Sequence, residues 1–193
     1  EAHGLVHHTT LTGFKWIARA PGLGFGYEEA IGFCPDPAHV RDKDGIATSV
    51  IAASLAAALK AQGRSVWDEL ERLARLHGLH VSSPLTFRVE EIEQIASGMA
   101  RLRAQPPSVL AGSPVVEVSD LSQGYRGLPP TDGVLVLTEA GDRVIARPSG
   151  TEPKLKCYLE VILPVAEGEP LPWEQARERL DAIKGAFAEI IGL

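Results

Sequence analysis

The chain has 193 residues, is 45% hydrophobic and 23% charged, and carries a formal net charge of −6. This is a globular composition, enough for one ordinary domain or two small ones. The acidity argues against a broad nucleic-acid surface, and no apolar run is long enough to span a bilayer, so neither nucleic acid nor membrane is an expected partner.

The first residues, Glu1 to His8, lack the basic-then-apolar layout of a signal peptide. Cys34 and Cys157 are isolated thiols with no disulfide pattern, which predicts a reducing, cytoplasmic setting. His3, His7 and His8 lack a further ligand at metal-binding spacing, so they read as exposed or packing residues.

A first unit is expected over residues 1–80. Thr9 to Ile17 predicts a short strand and turn. Gly22 to Tyr27 is Gly-rich and predicted extended, leading into Glu28-Glu29-Ala30-Ile31-Gly32. After a loop holding Pro35 and Pro37, Asp42-Lys43-Asp44-Gly45 opens a helix running to about Gln62. Its Ala-rich stretch Val50 to Leu59 reads as buried, and Gly63 suits the position past its end. Ser65 caps a second helix with Asp68 and Glu69 in its first turn. Leu70, Leu73 and Leu76 give that helix an apolar stripe, and Gly78 ends it. A joint is expected between about Gly78 and Val89, around Ser82, Ser83 and Pro84.

The second unit is expected over residues 81–193. A helix from about Glu90 to Arg103 should turn Ile92, Ile95, Met99 and Leu102 to its core. Strands follow at Pro114 to Val118, Gly133 to Thr138, Arg143 to Arg147 and Leu155 to Leu163. The middle pair is joined by a hairpin signal at Glu139-Ala140-Gly141-Asp142. In the last strand Leu155, Cys157, Leu159 and Val161 point one way, while Lys156, Tyr158 and Glu160 point the other. Trp173 to Ile191 is a final helix with Ala176, Leu180, Ile183 and Phe187 on one face. Helix, four strands and helix predict an antiparallel sheet with both helices on one face.

The segment Arg147-Pro148-Ser149-Gly150-Thr151-Glu152-Pro153-Lys154 stands where a strand runs out. Arg presents a planar fork of donors that matches phosphate oxygens. Ser149 and Thr151 add hydroxyls. Gly150 lets the backbone turn sharply and bring its N–H groups close to an anion, since glycine carries no penalty at positive φ. Pro-Ser-Gly is equally ordinary hairpin chemistry, so local chemistry alone leaves phosphate site and plain turn both open.

Three segments together resemble the C-terminal part of the α-D-phosphohexomutase superfamily, the phosphoglucomutases and phosphomannomutases. They are Thr10-Leu11-Thr12-Gly13-Phe14-Lys15-Trp16-Ile17, then Gly26 to Gly32 followed by Asp42 to Gly45, and Arg147 to Lys154. The resemblance covers nearly the whole chain. It implies an α/β third domain in truncated form, with a sugar-recognition loop, over residues 1–80. A fourth domain with a phosphate loop follows over residues 81–193, as the α+β sheet-and-helix unit described above. Where many members carry Glu-X-Ser, this chain has Ala30, which resembles the phosphopentomutase-type branch. A lost hydroxyl contact changes sugar selectivity, so pentose and hexose phosphates both remain open as substrates.

The resemblance implies a mutase that moves a phosphoryl group between two sugar positions through a phosphoserine and a bisphosphate intermediate. In the family the donor serine lies in a Ser-His-Asn-Pro-like loop and Mg2+ on an Asp-X-Asp-X-Asp-Arg loop, and neither motif occurs in this sequence. The chain is therefore expected to be a C-terminal fragment. It is expected to be inactive alone, with the missing N-terminal domains and a phosphosugar as its partners and a sugar bisphosphate as activator. The phosphate-binding residues implied are Arg147, Ser149, Gly150, Thr151 and Lys156, and the sugar-binding ones are Glu28, Glu29 and Lys15. Lys156 also fits a solvated strand lysine, Glu28 a loop salt bridge and Lys15 a snorkelling side chain. Lys154 reads as a surface residue, and Asp42 to Gly45 as helix capping. A non-catalytic sugar-phosphate-binding module and a sugar-bisphosphate synthase are the alternatives.

Overall fold

A computed structural model describes residues 4–30, 32–150 and 152–192. They form two compact units, Glu1–Glu69 and Leu70–Leu193.

In the first unit the helical turn α1 (Phe14–Ile17) stands where a strand was expected. Its Phe14 ring is buried. The hairpin β1 (Gly26–Glu28) and β2 (Gly32–Cys34) packs against that ring. A Cβ on Gly32 would meet the Glu28 Cγ at 2.5 Å and a Phe14 ring carbon at 2.6 Å. Only glycine lets the strand pass this close.

Helix α2 (Gly45–Ala61) starts as expected: the Asp44 carboxylate accepts from the Ile46 and Ala47 amides at 3.0 Å each. Gly63 beyond its end has φ +70°. The expectation of a buried helix is overturned. Ile46, Val50, Ile51 and Leu55 are all more than half exposed, and Leu59 is its one buried residue. Among the described residues of this unit no sheet larger than β1–β2 exists to cover them. Helix α3 (Val66–His77), most of which falls in the Leu70–Leu193 unit, begins with a reciprocal cap, in which Ser65 and Asp68 bond each other's backbone and side chains. Its stripe of Leu70, Leu73 and Leu76 is exposed as well. No single helix among the described residues is long and apolar enough to cross a membrane.

The second unit is a six-stranded antiparallel sheet in the order β3-β8-β7-β6-β5-β4. The strands are β3 (Leu79–Arg88), β4 (Val109–Leu110), β5 (Ser113–Asp120), β6 (Val134–Thr138), β7 (Arg143–Pro148) and β8 (Lys154–Leu163). The four expected strands are present, and β3 and β4 add to them. The expected joint is in fact β3, paired with β8 over ten residues. Pro84 is tolerated because β3 is an edge strand.

Helices α4 (Ile92–Ala104) and α5 (Trp173–Ile191) lie against the same core. Ile95, Met99 and Leu102 from α4 join Leu180, Ile183 and Phe187 from α5. Both sets meet the inward row Val134, Val136, Val144, Ala146, Leu155, Cys157, Leu159 and Val161. Each large side chain fully buried this way contributes about 1.5–3 kcal/mol. Ile92 departs from expectation and is 60% exposed, because it opens the helix before the core-facing stripe begins. The β6–β7 hairpin is tied to α5 by the fully buried Asp142. It accepts from Arg179 Nε and Nη2 at 2.8 and 2.7 Å and from the Thr138 hydroxyl at 3.0 Å. Removing one partner of such a pair costs about 3–5 kcal/mol.

Candidate functional site

The helices cover one face of the sheet, and strand alternation turns the other row of side chains away from them. That outer row ends, on β7 and β8, with Arg147 directly opposite Lys156. Cβ atoms of directly opposite residues lie about 4.5–5.5 Å apart, and like charges so placed are destabilising. Neither side chain forms an ion pair or a side-chain hydrogen bond among the described residues. The sheet thus holds two cations side by side at the strand ends, each partly exposed and neither in direct contact with a carboxylate among the described residues.

Ser149, Gly150, Glu152 and Pro153 are the described residues between the two strands. The Ser149 N–H donates to the Lys154 carbonyl at 2.9 Å, and the Lys154 N–H to the Glu152 carbonyl at 2.7 Å. Gly150 does not use the positive φ open to glycine. A Cβ on Gly150 would meet nothing within 4 Å, so its backbone faces open space. Thr151 lies outside the described residues.

Lys154 is not a plain surface residue. Its side chain is only 12% exposed and its Nζ lies 2.5 Å from Glu152 Oε1. Arg88 on β3 approaches the same carboxylate at 3.9 Å. The Lys154 hydrogen bond holds the Glu152 carboxyl below the usual carboxylate range, helped by the charges of Lys154, Arg88 and Lys156. Sequence reasoning missed Arg88 and Thr86, which sit on the strand taken for a joint. The signal that marks them is the alternation of Leu79, Val81, Leu85 and Phe87 with polar residues.

In the first unit, Glu28 ends β1 opposite Gly32 and is partly buried. Its carboxylate has no hydrogen bond or ion pair among the described residues. Glu29 and Ala30 form the exposed turn that follows. Lys15 is exposed, its Nζ 5.6 Å from the centre of the Trp16 ring, and is not paired with Glu28. The Lys43 Nζ lies 4.7 Å from the centre of the Phe14 ring. No group of three or more His, Cys, Asp or Glu side chains among the described residues could hold a metal ion, and His7 and His8 are exposed.

Two family models cover these two parts in order. Residues 1–76 match the alpha/beta/alpha domain III of phosphoglucomutase/phosphomannomutase, and residues 85–171 match its C-terminal domain. The chain belongs to the phosphoglucomutase/phosphomannomutase family. A probable phosphomannomutase of Haemophilus influenzae is 42% identical over 78% of this chain and 30% of its own length. The mouse phosphopentomutase is 31% identical over 96% of this chain and 33% of its own. A Staphylococcus aureus phosphoglucomutase is 32% identical over 84% and 33%. The chain spans about a third of the length of these curated relatives. The fold likewise matches pp63/parafusin, a phosphoglucomutase of Paramecium in its open form, with a TM-score of 0.58. That match has 18% identity and covers 88% of this chain and 31% of that one.

Proposed function

We propose that this family member serves a sugar-phosphate mutase whose Arg147 loop anchors the phosphate that is not being transferred. A mutase that works through a bisphosphate must hold its sugar in two orientations, each with one phosphate at the reacting serine and the other parked. Little covalent chemistry is left to the parking site; its task is positioning, which supplies much of the rate in phosphoryl transfer. Arg147 offers a bidentate fork, Lys156 a point charge beside it, and Ser149 and Thr151 hydroxyl donors. The open backbone at Gly150 leaves room for phosphate oxygens. Glu28, with its carboxylate unengaged, accepts from a sugar diol; Glu29 and Lys15 complete the sugar-facing set. Magnesium, when bound in such enzymes, stabilises the charge of the transferring group. No donor set among the described residues fits it, so no step here runs through it. On this reading the phosphoserine and the magnesium site lie in domains that this sequence does not contain, and a sugar bisphosphate acts as activator.

The observation that carries the reading is the pairing of Arg147 with Lys156, two cations directly opposite each other with no carboxylate of their own. Ala30 in the sugar loop favours a pentose phosphate over a hexose phosphate, in keeping with the phosphopentomutase relative. Calorimetric titration of ribose 5-phosphate into the chain and into Arg147→Ala tests the anchor. The expected loss is about tenfold or more, the scale of a charge-assisted contact. Equal affinity in the two proteins refutes it. Tighter binding of glucose 6-phosphate than of ribose 5-phosphate refutes the pentose preference.

A further inference from the structure

Two consecutive rows across the outer face of the sheet are built from hydrogen-bond donors. In one, Thr86 of β3, Lys156 of β8 and Arg147 of β7 lie directly opposite one another. In the next, Arg88 of β3 lies opposite Lys154 of β8, and Ser149 bonds the backbone of that same Lys154. Four cations therefore share about two strand steps of sheet surface, in a chain whose net charge is −6. Opposed like charges weaken a sheet, so the patch is stabilised by an anion. Glu152 supplies one carboxylate, bonded to Lys154 at 2.5 Å and reaching Arg88 at 3.9 Å. One carboxylate leaves a surplus of positive charge, which falls on the row of Thr86, Lys156 and Arg147. The Arg88 side chain is 77% exposed and loosely held, and β3 has a neighbour on one side only.

We infer that the anion site extends onto β3, with the Thr86 hydroxyl and the Arg88 guanidinium as further phosphate-binding residues. Glu152 is the internal carboxylate that gives up Arg88 when phosphate arrives. This rests on the reading of the Arg147 loop as a phosphate anchor. Before phosphate binds, Glu152 keeps the cationic rows compatible with a folded sheet. When phosphate is present, β3 and β8 are joined at this end by a shared ligand.

The test is calorimetric titration of inorganic phosphate into the unaltered chain and into Thr86→Val, Arg88→Gln, Glu152→Gln and Arg147→Ala. Thr86→Val is near-isosteric and Arg88→Gln removes the charge of a 77% exposed side chain, both on an edge strand, and far-UV circular dichroism checks that every variant folds. Thr86→Val and Arg88→Gln are each expected to weaken binding about three- to tenfold, the upper range discounted for exposure. Glu152→Gln is expected to tighten it. If Arg147→Ala weakens binding while Thr86→Val and Arg88→Gln leave it unchanged, the site stops at β7 and β8. The extension then falls and the anchor stands. Weaker binding by Glu152→Gln overturns the exchange of Arg88. If Arg147→Ala binds phosphate as the unaltered chain does, the anchor falls and takes the extension with it.

Discussion

Arg147 and Lys156 show how much a single residue type says before its neighbours are known. The types Arg, Ser, Gly and Thr were legible as anion chemistry from the sequence. Their arrangement was not, because it depends on which β8 residue faces Arg147, and that is set by strand register. Gly150 illustrates the same limit from the other side. Its presence suits a close backbone approach, yet the loop reverses without left-handed geometry there. Cys157 belongs to this scale too. Burial pushes its thiol up to about 12 from 9.0. The folded chain therefore holds this proton more tightly than the unfolded chain does. The associated stability is fully present below pH 9.0 and is lost as pH rises toward about 12. Denaturant titrations at successive pH values in that window should show a steeper fall for the unaltered chain than for Cys157→Ala. Equal slopes would contradict the assignment.

Among the elements, helix ends were the most legible, since a cap is a local pattern. Asp44, Ser65 with Asp68, Gly63 and Gly78 all stand where sequence reasoning put them. Asp44→Ala removes the carboxylate oxygen that accepts from two amides in the first turn of α2 and is expected to cost that helix about 1 kcal/mol. The check is faster hydrogen exchange at the Ile46 and Ala47 amides, with β8 amides unaffected. The strand β3 was misread because Ser82, Ser83 and Pro84 carry turn chemistry. Its period-two alternation was the competing signal, and pairing with β8 decided between them. Helix α2 is the converse case. Its composition is that of an interior helix, and interior or surface is a property of what lies against it.

For the molecule as a whole, the two units differ in what holds them. The Leu70–Leu193 unit closes a continuous core between sheet and helices. In Glu1–Glu69 the buried hydrophobic residues among those described are Phe14, Ala20, Cys34 and Leu59. Local stability follows buried apolar contact, so amides of α2 are expected to exchange faster than those of β6, β7 and β8. Equal protection in native-state hydrogen exchange would show that the units open together. The amino-acid sequence by itself determined the family, through three short segments, and the helix caps, the alternation of β8 and the residue types of the loop proposed to hold phosphate, because each of these patterns is local. Only the tertiary structure decided that β3 joins the sheet, that α2 is exposed, and that Arg88, Thr86, Lys154, Lys156 and Arg147 share one surface. The physical reason is that pairing and burial depend on partners distant along the chain, and a local pattern cannot specify them.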